Sequence, residues 1–417
     1  MARSGRSSPP RRPKLLHSLF GGYAGLLTEP VVRRFVGFGL LGRVAISMMS
    51  LGVILLISGL TGSYTDAGLL AGIGVLSGAV GMPVLGRLAD RYGQSRVTLF
   101  AIPLHGVGLV SLVLLAVLRT PVWALLPSAF VMGAAYPPIG SFVRARWSAR
   151  LGGTPRLTTA YAFESVVDEL IFVTGPVLAT LLSTRVHPGA GLAAALLFTL
   201  VGGIGFARQR ATDPARQAVE GRRASAVRTP VVHVVVLVNL TAGTALGSID
   251  VAVVAFTSAA GVRWASGLVL ALFAAGSAIG GLAFGAVPWR IDPLWRFAGT
   301  GTLLGLLFLP LVFAPSVGWL LPLGFLSGLG ISPLIVASNT LVERGVRRDR
   351  LTEALTWLTT GLLVGVAAGS WLTGRVVDVT DGFHGFHVVT PAALVTAAAA
   401  WLAWLRLRRA PGRESAR

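Results

Sequence analysis

The chain has 417 residues, of which 53% are hydrophobic and only 12% charged, and its mean hydropathy is +0.74. A soluble domain carries about 25% charged residues, so this chain cannot cover a water-facing surface of its own size; it can cover one that faces lipid. Cysteine is absent and the six His show no metal-ligand spacing, which excludes a disulfide framework and thiolate chemistry and gives no reason to expect a metal or cofactor. The net charge of +20 would suit nucleic acid, but the basic residues sit in short clusters between apolar runs, which is the pattern of membrane topology.

In chain order, residues 1–30 form a basic tail rich in Arg, Ser and Pro, with Lys14 the only lysine. The composition predicts an unfolded cytoplasmic segment. The apolar stretch after it is too long for a cleaved leader. Apolar spans follow at 35–60, 68–88, 97–118, 122–142, 159–182 and 190–207. A polar linker occupies 208–229. Six more spans run 231–257, 266–287, 297–314, 317–341, 354–376 and 388–405, before a basic tail at 408–417. Each is long enough to cross a hydrocarbon core of about 30 Å. The expected fold is an all-α membrane protein: twelve transmembrane helices in two six-helix pseudo-symmetric halves, 31–207 and 230–407. With the N-terminus in the cytoplasm, 31 of the 36 basic residues fall on the cytoplasmic side. Only Arg119, Arg185, Arg263 and Arg375 lie outside, and Arg43 lies within a span. That bias predicts both termini inside; the Arg-dominated composition is consistent with a GC-rich coding sequence, and the expected location is a bacterial inner membrane.

Between spans two and three the chain reads Gly86-Arg-Leu-Ala-Asp90-Arg91-Tyr-Gly93-Gln-Ser-Arg96. Here Asp90 needs a partner at the membrane boundary, and Gly93 permits a turn with positive φ. The run resembles the signature loop of the major facilitator superfamily, and it sits where that family carries it. The resemblance implies that Gly86, Asp90, Arg91, Gly93 and Arg96 latch the cytoplasmic gate when the protein opens outward. A degenerate copy in the second half reads Gly285-Ala-Val-Pro-Trp289-Arg290, with Trp289 in place of the acid. Span five carries Gly175-Pro176, similar to the Gly-Pro motif of the family's drug-proton antiporters. The match is partial, with Ile171 and Ala179 where that motif carries small residues or further glycines, and an ordinary proline kink is the alternative. The family's span-four arginine is missing, with Ala129 at its position.

Ionisable residues within membrane spans are functional candidates: Arg43 in span one, Glu164, Asp168 and Glu169 in span five, and Asp250 in span seven. Arg43 lies roughly 12 Å along its helix, level with Glu164 at roughly 8 Å and Asp168 at roughly 14 Å. Glu164 and Asp168 share a face; Glu169 points elsewhere. The group reads either as a proton-sensitive cluster or as a structural ion pair joining spans one and five. Asp250 reads as lining a central cavity or reaching the outer interface. Tyr136, before Pro137-Pro138, and the amides Asn239 and Asn339 are further cavity candidates, with interhelical hydrogen bonding as their alternative. His105 reads as packing.

The function implied is secondary active transport of a small organic molecule by a monomer in the bilayer, proton-coupled and outward in direction, by alternating access, with a proton or another cation as the coupling partner. Uptake by the same fold, or a non-transporting sensor or scaffold, are the alternatives. No Walker sequence, His-Glu-x-x-His motif or catalytic residue is found, so an enzyme is not expected.

Overall fold

Backbone amides inside hydrocarbon have no water to bond, so each apolar stretch must close its hydrogen bonds within a helix. The computed structural model describes residues 26–152, 154, 156–214, 229–287, 289–346 and 351–409, and among them twelve helices are long and apolar enough to cross a membrane. They are α1 (Pro30–Thr61), α2 (Tyr64–Tyr92), α3 (Gln94–Val117), α4 (Val122–Leu151), α5 (Arg156–Arg185), α6 (Ala190–Ala207), α7 (Pro230–Ala259), α8 (Ser266–Ala286), α9 (Pro293–Phe308), α10 (Val317–Gly345), α11 (Leu351–Val379) and α12 (Phe386–Arg409). Most of residues 1–30, most of the 208–229 linker and nearly all of 408–417 lie outside the described residues.

Most helices outrun their apolar spans by several residues because helical hydrogen bonding continues into the polar interface. Pro30, Pro230 and Pro293 open α1, α7 and α9, at a position where the missing N–H would have had no partner. Two helices are interrupted. α4 stops at Ala134 and resumes at Ile139, across Tyr136-Pro137-Pro138. α10 stops at Gly328 and resumes at Ile331. The sequence pattern predicts each as one uninterrupted span.

The breaks occupy matching places in a repeated packing unit. A Cβ on Gly133 of α4 would collide with the Gly74 carbonyl of α2, and one on Gly328 of α10 with the Phe273 carbonyl of α8. In the reverse direction Gly81 faces the Ala134 carbonyl as Gly280 faces the Leu329 carbonyl. The α2–α4 contact thus recurs as α8–α10. Small residues let these backbones touch, because lipid supplies no hydrophobic drive for larger side chains to associate.

The first six helices meet the last six chiefly through α2 on α11 and α5 on α8. Gly68 abuts the Ser370 carbonyl, Gly72 faces Ala367, Gly374 abuts Tyr64 and Gly267 abuts Pro176 and Thr180. These approaches crowd toward one end of the bundle, that of the loops after α1, α5, α7 and α11. The Arg-rich loops lie at the other end.

Gly328→Val is expected to cost about 1–3 kcal/mol or more by overpacking, seen as a lowered melting temperature in detergent. Gly285→Ala, where a Cβ would meet nothing within 4 Å, should leave the melting temperature unchanged or slightly higher.

Candidate functional site

The α4 interruption follows from proline chemistry. Pro137 and Pro138 have no N–H to donate back along the helix, and the Tyr136 amide bonds Gly133 instead of Met132. The Met132 carbonyl so released accepts from Nδ1 of His105 on α3 at 2.6 Å. A carbonyl only accepts, so Nδ1 carries the proton. Tyr136 is buried and donates its hydroxyl to the Gly42 carbonyl of α1 at 2.7 Å. Its ring meets His105 edge to face, 5.4 Å between centroids. The broken segment is therefore bonded on both sides.

Beside it lies a cavity of about 320 Å³ between the two sets of helices. Its walls are mostly apolar, with Met49, Met82, Met132, Phe172 and Val366 among them. Tyr136 and Asp250, of the sequence candidates, line it. Among the described residues Asp250 is the only carboxylate there, and its Oδ2 accepts from Ser50 of α1 at 3.4 Å. The other two cavity candidates lie elsewhere. Asn239 is buried but turns its amide back onto its own helix, donating to the Val235 carbonyl at 2.9 Å. Asn339 is exposed on the second segment of α10.

The charged cluster assembles below the cavity, toward the Arg-rich end. Arg43 donates Nη2 to Glu164 at 2.6 Å and Nη1 to Asp168 at 2.7 Å. Two residues that sequence reasoning missed complete it. Trp147 donates to the other oxygen of Glu164 at 2.8 Å, and Arg144 pairs with the second oxygen of Asp168. The Glu164 side chain is 0% exposed. Two guanidiniums balance two carboxylates, and each carboxylate oxygen has a donor. The geometry is that of an ion-pair strut joining α1, α4 and α5. Arg144 and Trp147 went unnoticed because run 144–150 reads as topology charge. Glu169 stands half-buried outside the network.

Gly175 and Pro176 sit where α5 touches two neighbours. A Cβ on Gly175 would collide with Ser47 of α1, and Ser47 donates to the Ile171 carbonyl at 3.0 Å. The helix runs on through Pro176 to Arg185.

At the Arg-rich end, Gly93 has φ +93° and its N–H bonds the Ala89 carbonyl at 2.8 Å, turning the chain from α2 into α3. Asp90, Arg91 and Arg96 are exposed, and Arg91 lies over the Tyr92 ring. Asp90 makes no hydrogen bond or ion pair among the described residues, and a Cβ on Gly86 would meet nothing within 4 Å. The bonds near this loop belong to Arg146, also missed from sequence. It is buried over the Phe206 ring, with its ζ carbon 3.7 Å from the ring centroid. It donates to Gln94 at 3.0 Å, Thr212 at 2.7 Å and Asp213 at 2.6 Å. Asp213 also accepts from the Ser95 amide at the start of α3.

At the closed end, Asp378 near the end of α11 accepts from the amides of Tyr64 and Thr65 at 2.8 and 2.7 Å, and from the Ser63 hydroxyl at 3.2 Å. A carboxylate from the last six helices thus caps the N-terminus of α2, where orphan amides and the helix dipole favour negative charge.

Residues 35–310 match the family model of the Major Facilitator Superfamily. No curated protein matches the chain. Several solved structures share the fold. The nucleoside transporter NupG superposes with a TM-score of 0.71 at 16% identity, over 92% of this chain and 100% of that one. An auto-inhibited peptide transporter of the POT family gives 0.68 at 12%, over 93% and 99%. A bacterial homologue of the iron transporter ferroportin, in an inward-facing state, gives 0.70 at 17%, over 90% and 98%.

Glu164→Gln should destabilise the protein by about 3–5 kcal/mol, because it leaves Arg43 undercompensated in a buried site. Asp168→Asn should cost clearly less, since its side chain is 28% exposed and Arg43 keeps Glu164. Melting temperatures of the two variants in one detergent test the order.

Proposed function

Because this chain belongs to the major facilitator superfamily, we propose that it carries a small organic molecule across the membrane by alternating access, exporting it in exchange for protons. The observation that carries the reading is Asp250: a single carboxylate in a mostly apolar cavity bounded by both sets of helices. Interrupted helices in corresponding positions of two repeats are a pointer to a transporter's binding site, and the α4 break lines this cavity through Tyr136. The walls suit an apolar molecule with one cationic or hydrogen-bonding group for Asp250. Export rests on the Gly175-Pro176 pair, at the junction of α5 with α1 and α8. Uptake through the same cavity is the second reading, since the fold serves both directions.

With the Arg-rich loops in the cytoplasm of a bacterial inner membrane, the closed end faces outward and this conformer opens inward. The two clasps then alternate. Asp378 holds α2 while the outside is shut, and the exposed Asp90 of the signature loop is idle until the inside closes. Asp250 is the coupling acid in this scheme: its bond to Ser50 joins α7 to α1, so taking up or losing a proton there biases one conformer over the other.

In liposomes carrying a pH gradient, a substrate screen should yield coupled flux. Asp250→Asn should remove its pH-driven part, and Asp168→Asn should preserve the coupling in whatever folded protein is recovered. Coupled flux that survives Asp250→Asn unchanged refutes the assignment. Asp378→Asn should raise access from outside: Ser50→Cys in this cysteine-free chain should react with an impermeant maleimide roughly tenfold faster, the equivalent of about 1.4 kcal/mol.

A further inference from the structure

Four arginines break the charge bias, and two of them meet. Arg185 at the end of α5 and Arg263 just before α8 both line a cavity of about 330 Å³ at the closed end, with Gly59, Ser183 and His187. Among the described residues, no carboxylate lines it. Arg185 comes from the first six helices and Arg263 from the last six.

Their donors are largely unspent. Nη2 of Arg263 reaches the Leu55 carbonyl at 3.1 Å and the Ser58 hydroxyl at 2.5 Å, near the C-terminus of α1. The dipole there favours a cation, which accounts for the position of the side chain. Its Nε is buried and has no partner. The hydroxyl of Ser183, itself 8% exposed, is likewise buried without a partner. Arg185 makes no hydrogen bond or ion pair among the described residues. A guanidinium offers five N–H donors in a planar fork, a geometry that matches phosphate oxygens and is the common device for binding them. Two such groups with spare donors and no counter-charge form half of an ion pair.

We infer that this cavity binds a phosphate-type oxyanion, either the headgroup of an anionic lipid or free phosphate, held between Arg185 and Arg263. The anion bridges the two sets of helices only where their ends meet. It therefore stabilises the conformer closed at this end over the open one, by linkage. The inference needs only this geometry and is independent of the role of Asp250.

The test uses the full-length protein in two arms. In detergent, inorganic phosphate is compared with chloride at equal ionic strength. In nanodiscs, phosphatidylcholine is compared with a mixture containing phosphatidylglycerol. At saturation the melting temperature should rise by about 2 °C. A rise with phosphate identifies a free anion; a rise only with phosphatidylglycerol identifies a headgroup. Arg185→Gln should abolish the rise and Arg185→Lys should keep part of it. Arg185 is exposed, so these variants report even if Arg263→Gln fails to fold. No rise in either arm, or an equal rise in Arg185→Gln, overturns the inference.

Discussion

The absence of water from the hydrocarbon governs this molecule. An unbonded amide or carbonyl in lipid costs several kcal/mol, so the chain spends its apolar stretches on helices and packs them backbone to backbone. Where a helix breaks, the freed group must find another donor or acceptor. α4 shows how: prolines interrupt the ladder, His105 takes the released carbonyl of Met132, and Tyr136 is anchored on α1. The interruption beside the cavity is thus stabilised by side chains from neighbouring helices.

Charge obeys the same constraint. Arg43, Glu164, Asp168 and Arg144 neutralise one another, with Trp147 satisfying the last oxygen of the buried glutamate. Such a network holds helices in place because each member would be costly alone. Asp250 contrasts with it. Its one described partner is a hydroxyl at 3.4 Å, so its interactions can change as the helices move. Inside one protein, one pair of acids has a donor on every oxygen and another acid is sparsely bonded.

Helix number, the places of the apolar spans and the turn at Gly93 were legible in the sequence, because hydropathy and positive φ are local properties. So was the meeting of Arg43 with Glu164 and Asp168, which followed from depth and an i, i+4 spacing. The breaks at Tyr136-Pro137-Pro138 and Gly328-Leu329-Gly330 were visible as residues but not as interruptions, since membrane helices absorb many prolines and glycines. Arg144, Arg146 and Asp378 were hidden for another reason. Each looks like a loop charge until the partner helix is in place, and their partners lie on other elements. Asn239 shows the reverse case: a buried amide is conspicuous in sequence, yet its own helix satisfies it.

The contact between α2 and α11 bears on how easily the two sets of helices part. At Gly68 and Gly374 the touching carbonyls already belong to their own helices' hydrogen-bond ladders, so pulling the surfaces apart breaks dispersion contacts and leaves no stranded polar group. Among the described residues, the polar ties between α2 and α11 themselves are those of Asp378, which are exposed and can be traded one for one with solvent. Such a seam resembles a zipper with smooth teeth: it can separate and re-form many times without the chain having to unfold any part of itself.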